Sequence, residues 1–138
     1  MKECVFCKII NGQYPSEVVY ETENILSFLD VNPINHGHTL IVPKQHIEDF
    51  HSLPTDLLNE LIQTTSIVTK AILKSFNPDG YNIFCNNGHY AGQSVFHFHF
   101  HITPRFRFDG IKFKPNVKRY KNDEMKLVAE KIREMISN

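Results

Sequence analysis

Three histidines alternate with large apolar residues in the stretch His97-Phe98-His99-Phe100-His101-Ile102-Thr103. In an extended strand successive side chains point to opposite faces. His97, His99 and His101 then line one face, roughly 6–7 Å apart from one to the next. Phe96, Phe98, Phe100 and Ile102 line the other. On a helix the same histidines fan around the axis and share no face. The stretch therefore reads as a strand with an imidazole row on one side and a core contact on the other. Crowded imidazoles disfavour one another's protonation, so at least one stays neutral near neutral pH. A neutral imidazole is a nucleophile towards phosphorus or carbonyl carbon, a general base and a metal ligand. His99, with neighbours on both sides, is the best held. His36, His38, His46, His51 and His89 add imidazoles elsewhere.

Two further constellations can carry chemistry. The loop Asn86-Asn87-Gly88-His89-Tyr90-Ala91-Gly92-Gln93-Ser94 leads into the histidine row. Gly88 and Gly92 let backbone N–H groups turn inward, and such concavities bind anions. A nucleophilic imidazole beside an anion-binding turn suggests phosphoryl or nucleotidyl transfer; an ordinary loop is the alternative. At the other end, Cys4-Val5-Phe6-Cys7 supplies two thiols, and Cys85 makes the cysteine count odd. In a chain with no visible secretion signal this favours metal binding or redox work over a disulfide framework. Tetrahedral zinc takes four ligands. No second such cysteine pair follows, so histidines have to complete the set. A reduced dithiol is the alternative, and no thioredoxin-like βαβ pattern surrounds the pair.

The elements that must position these groups are legible in outline. Cys4 to Ile10 is a short segment, plausibly one helical turn, ended by Asn11-Gly12. Val18 to Glu21, Ile25 to Val31 and His38 to Val42 read as three strands of an antiparallel meander. Ser52 and Pro54 open a helix whose apolar period runs from Leu57 to Phe76, and Asn77-Pro78-Asp79-Gly80 ends it. Tyr81 to Phe84 is a fourth strand and the histidine stretch a fifth. From Arg105 to Lys121 the chain is irregular and basic, and a solvated face is the default reading. A last helix follows Asn122-Asp123-Glu124, with Met125, Val128, Ala129, Ile132 and Met135 on one stripe. The expectation is one α+β domain over residues 1–138: a five-stranded, mostly antiparallel sheet, one long helix and a C-terminal helix.

Bulk properties narrow the function classes. The 138 residues carry 15 basic and 15 acidic side chains, so global charge gives no reason to expect a nucleic-acid or membrane partner. Hydrophobic residues make up 41%, which fits a folded chain with a real core. No apolar run reaches the length of a membrane span. The expected location is the cytoplasm.

Gln93-Ser94-Val95-Phe96-His97-Phe98-His99-Phe100-His101-Ile102 resembles the His-φ-His-φ-His-φ-φ motif of the histidine triad (HIT) family, in particular its nucleotide-binding branch and that branch's zinc-bearing bacterial members. The resemblance extends over Phe6-Cys7-Lys8-Ile9-Ile10-Asn11-Gly12, over Leu29-Asp30-Val31-Asn32-Pro33, and from His36 to His46. It implies a HIT-like fold and a nucleotide-binding hydrolase or transferase that cleaves nucleoside phosphoramidates of the AMP type. The central histidine, His99, would attack the α-phosphorus to give a nucleotidyl-histidine that water hydrolyses. By the same resemblance His101, Ser94, Gln93 and Asn86 contact the phosphate or leaving group. Asp30 binds the ribose hydroxyls, and Phe6, Ile9, Phe28 and Val31 wall the base. His38 orients the triad, and Cys4, Cys7, His46 and His97 hold a structural zinc. The implied partners are a purine nucleotide or nucleoside phosphoramidate and a second copy of the chain, with one sheet continuous across the homodimer. Three other readings stay open: a dinucleoside polyphosphate hydrolase, a nucleotide-sensing module with little turnover, and a zinc-centred structural protein.

Overall fold

A computed structural model describes residues 3–137; Met1, Lys2 and Asn138, the ends of the expected domain, lie outside the described residues. After helix α1 (Val5–Ile10) come strands β1 (Val18–Glu21), β2 (Ile25–Leu29) and β3 (Thr39–Pro43). Helix α2 (Thr55–Phe76), strands β4 (Gly80–Phe84) and β5 (Phe100–Arg105) and helix α3 (Glu124–Ser137) complete the chain. The sheet has the order β1-β2-β3-β5-β4, and every neighbouring pair is antiparallel. This is the expected α+β architecture.

The period of two along the strands builds two cores. Ile25, Ile41 and Ile102 face α2 and pack with Leu61, Val68, Ile72, Phe98 and Phe100. Leu26, Phe28, Leu40 and Val42 point the other way and pack with Phe6 of α1. His101 is the register partner of Leu40 on one side and Phe84 on the other. It therefore shares the α1 face of the sheet. Helix α2 ends at Asn77, whose left-handed backbone (φ 45°) closes the last turn through Asn77 N–H to the Leu73 carbonyl.

The structure departs from the sequence reading in several places. The histidine strand starts at Phe100, so only His101 of the three histidines lies in the ladder. The β3–β5 ladder stops at Ile41 opposite Phe100. Continued in register, it would bring Phe98 to Pro43, which has no N–H to donate. Instead the Phe98 N–H donates to the Ile47 carbonyl at 2.6 Å. Phe96 is 44% exposed and does not join the core face. Strand β2 ends at Leu29, before Asp30 and Val31, because the chain turns there into the loop that reaches His38. Arg105 ends β5 in a clasp rather than on a solvated face. Its guanidinium donates to Asp109, to the Asn82 side chain and to the Ile111 carbonyl, and the Asp109 carboxylate holds it charged. The apolar stripe on α3 exists but is uncovered: Met125, Val128, Ile132 and Met135 are all exposed.

Candidate active site and metal centre

His99 and His101 reach one cleft of ≈ 350 Å³, lined also by Phe6, Ile9, Phe28, Asp30, Val31, Leu40, Ser94 and Val95. Residues from α1, β2, the loop after β2 and the approach to β5 thus meet at one place. Phe6 sets its ring edge-on to His99 at 5.0 Å and to Phe28 at 5.5 Å, which makes an apolar wall beside the imidazoles. Val31 is 84% exposed, so it stands at the rim of the cleft.

Backbone carbonyls fix the histidine rings, because a carbonyl can only accept. His99 Nδ1 lies 2.7 Å from the His97 carbonyl, so Nδ1 carries the proton and Nε2 keeps its lone pair. His97 Nε2 lies 2.7 Å from the Pro43 carbonyl, so here Nε2 is protonated and Nδ1 is the bare nitrogen. Burial lowers the pKa of His99, against the opposing pull of the His97 carbonyl. His101 is pushed down to about 3, chiefly by burial and then by His99 and His38. Both imidazoles are therefore neutral at physiological pH. A neutral imidazole with a free Nε2, next to a second imidazole and an apolar wall, can attack an electrophilic phosphorus or carbonyl.

Asp30 and His38 complete this end. His38 Nε2 is 2.9 Å from His101 Nδ1 and 3.5 Å from Asp30 Oδ2. Asp30 Oδ1 accepts from the Asn32 N–H, which orients the carboxylate. Burial lowers the His38 pKa, opposed by the Asp30 charge. Asp30, His38 and His101 offer atoms within 4.8 Å of one another, as a metal site requires. The short His38–His101 contact is already closed by a proton, so a hydrogen-bonded pair describes it better.

Gln93 and Asn86 do not line the cleft. Gln93 is buried and its amide is committed: Oε1 accepts from the Gly88 N–H, and Nε2 donates to the Glu48 and Val95 carbonyls. It shapes the glycine loop rather than presenting a free donor. Asn86 spans the same loop through Nδ2 to the Gly92 carbonyl at 3.5 Å. Sequence reasoning missed Phe84, which stacks on His101 with ring centroids 4.4 Å apart and planes 8° apart. Its signal was weak, because one aromatic residue in a strand ordinarily reads as core. The carbonyls of His97 and Pro43 left no signal at all, since backbone groups are common to every residue.

Cys4, Cys7, His46 and His97 also converge, with one ligand atom from each within 4.8 Å of the others. His97 Nδ1 is 3.4 Å from Cys4 Sγ and 3.6 Å from Cys7 Sγ, and His46 Nδ1 is 3.3 Å from Cys7 Sγ. Ordinary Zn–S and Zn–N bonds at tetrahedral angles separate nitrogen and sulfur by about 3.6 Å. The donor set therefore fits a tetrahedral cation. The Pro43 carbonyl supplies the outer hydrogen bond that metal-bound histidines usually make. Burial, with the neighbouring Cys4 thiol, pushes the Cys7 thiol up, so a cation beside it would favour the Cys7 thiolate. Cys85 lies just beyond β4, half-buried against the α2-side core.

Comparison with known proteins agrees with this geometry. Residues 11–108 match the model of the HIT domain. A crystal structure of a HIT family protein from Bacillus subtilis superposes with a TM-score of 0.90 at 39% identity, over 96% of each chain. A zinc-bound histidine triad family protein from Mycobacterium smegmatis superposes with a TM-score of 0.75 at 33% identity, over 99% of this chain and 97% of that one. The adenosine 5'-monophosphoramidase of Candida albicans is 42% identical over 106 residues, 74% of this chain and 70% of that protein. With the fold, the alternating histidines and the matched span in agreement, this chain belongs to the HIT family.

Proposed function

We propose that the protein is a nucleotide hydrolase or transferase that cleaves nucleoside phosphoramidates through a covalent intermediate on His99. The observation that carries this reading is the committed tautomer of His99. With Nδ1 spent on the His97 carbonyl, the Nε2 lone pair is available in the cleft. In the first step His99 Nε2 bonds to the α-phosphorus and the phosphorus–nitrogen bond breaks, releasing the amine. In the second, water bonds to phosphorus, the histidine–phosphorus bond breaks, and the nucleoside monophosphate leaves. Asp30 accepts from the ribose hydroxyls in this reading, and Phe6, Ile9, Phe28 and Val31 flank the base; their shared cleft supports it. Ser94 and His101 donate to the phosphate. The Candida albicans relative, an adenosine 5'-monophosphoramidase, supports this substrate class.

Zinc in the Cys4, Cys7, His46 and His97 set serves structure in this reading and keeps His97 out of acid–base work. Cys4 and Cys7 at α1, with His46 and His97, would hold the ion, which would supply a structural clasp between α1 and the segments flanking the sheet. The reading extends to a homodimer in the cytoplasm, each copy folding as a single domain over residues 1–138. The outer edge of β4 and the exposed stripe of α3 support a partner subunit, because the described residues of this chain leave both uncovered. No described helix is long and apolar enough to cross a membrane.

The test is turnover of an adenosine phosphoramidate beside a diadenosine polyphosphate. Amine release is expected from the first, and His99→Ala should lower it by about 10³-fold or more. Full activity in His99→Ala defeats the mechanism, and faster cleavage of the polyphosphate moves the substrate assignment to anhydrides.

A further inference from the structure

The β2–β3 connection, residues 30–38, is unusually well tied for a loop. Its base closes through the Asp30 N–H to the His38 carbonyl, and its far turn through the His38 N–H to the Asn35 carbonyl. Asn35 is in turn anchored to the Pro104 carbonyl and Asp109. Within this frame the Ile34 backbone N–H points at His38 Nδ1 at 3.0 Å. A backbone N–H can only donate, so His38 Nδ1 accepts and carries no proton. The proton of neutral His38 is then on Nε2, directed at His101 Nδ1 at 2.9 Å, with the Asp30 carboxylate alongside at 3.5 Å. Asp30 favours the same assignment, since a bare Nε2 would set two acceptors against each other. His101 Nδ1 must accept, and its own proton is left on Nε2. That nitrogen is buried and has no partner in the structure. A buried donor without an acceptor is costly, and a ligand that supplies the acceptor recovers the cost.

We infer that the Ile34 backbone amide is a positioning group that, through His38, locks His101 as a permanent N–H donor to the substrate. The inference rests on the phosphoryl-transfer reading above and sharpens one part of it. The acceptor that fits His101 Nε2–H is an oxygen of the reacting phosphate or an anionic oxygen of the leaving group. His101 keeps its proton throughout. If it gave the proton up, the chain Ile34–His38–His101 has no second proton to return without leaving an imidazolate. His101 thus acts by a fixed hydrogen bond rather than as an acid, and the proton that an amine leaving group needs comes from substrate or water. Phe84, stacked on the ring, holds the direction of that donor.

The experiment is imidazole ¹⁵N spectroscopy on the full chain, because protonated and bare ring nitrogens resonate far apart. In the wild type, Nε2 of both His38 and His101 is expected to be protonated, and Nδ1 of both bare. Ile34→Ala keeps the amide and should leave the pattern unchanged. Replacing the Ile34 amide by an ester removes the N–H at no steric cost, and Ile34→Pro does so by ordinary mutagenesis. Either should populate the reversed pair, in which His101 Nδ1–H donates to His38 Nε2; combining either with Asp30→Asn should complete the reversal. In the single ester or proline form, kcat should fall about tenfold or more, with KM changed less than about threefold. A reversed pattern in the wild type overturns the inference. So does an ester form with tautomers and kcat unchanged. The tautomer pattern is read without substrate. If it is found as expected while the wild type turns over no nucleotide, the phosphoryl-transfer reading fails and the lock stands.

Discussion

Each imidazole of the triad is made different by one backbone atom. The His97 carbonyl bares Nε2 of His99, and the Pro43 carbonyl bares Nδ1 of His97. The alternation of His97, His99 and His101 was visible in the sequence, and the resemblance already implied His99 for the nucleophile proposed above. Which ring nitrogen is free was not, because the deciding partners are peptide groups. Gln93 has partners that the sequence did not show. Its position before the triad resembled that of a phosphate donor, but its amide is used up in holding the Gly88 and Val95 backbone. Gln93→Ala should therefore act mainly on stability. It empties a buried site and removes three hydrogen bonds that tie Gly88, Glu48 and Val95 together, a loss of about 1–3 kcal/mol readable in urea unfolding. An unchanged midpoint with a large rise in KM would return Gln93 to the ligand.

The paired elements were the most legible. Strands β1 to β4 and helix α2 fall close to where hydrophobic period, Pro54 and Asn77-Pro78 put them. The misplaced boundary was the start of β5, where period alone cannot tell an extended segment from a hydrogen-bonded strand. His97 to His99 keep the alternation but lack the ladder, because Pro43 sits where a donor is needed. The ends of the loop from Asp30 to His38 were read as strand, yet its turn fixes His38. Gly37 is its tightest point. Its φ is +97°, and a Cβ there would stand 2.8 Å from the Phe76 ring. Gly37→Ala should cost about 1–3 kcal/mol in stability, and it should disturb the neighbouring His38 enough to lower turnover. Wild-type values of both would show that the loop tolerates a side chain. In the α2-side core, Phe98→Ala should cost about 3–5 kcal/mol, since Phe98 is 1% exposed and packs edge-on to Phe100. A loss below 1 kcal/mol by urea unfolding would mean that the approach to β5 is not part of the cooperative core.

For the molecule as a whole, the buried imidazoles set a pH dependence. His97 and His101 are held down to about 4 and about 3, from an ordinary value of 6.5. Below that value the unfolded chain takes up protons that the folded chain refuses. Stability is therefore lost as pH falls from about 6.5 towards 4, at up to about 1.4 kcal/mol per pH unit for each such group. Competition of protons for a metal on the cysteine–histidine set acts in the same direction. Unfolding in urea at pH 7 and pH 5 measures it, and equal midpoints would contradict the burial of neutral imidazoles.

Helix α1 carries both Cys7, whose thiol faces His46 and His97, and Phe6, whose ring lies against His97 and His99. One six-residue helix is thus a wall of two sites. A helix that short has little stability of its own, so whatever fills one site pre-orders the wall of the other. If the two sites take metal and nucleotide as proposed, linkage requires reciprocity: each would tighten the other by the same factor. Chelation should weaken nucleotide binding, and saturating nucleotide should slow the loss of metal. On the proposed reading, withdrawal of metal would then be felt as a loss of affinity for nucleotide.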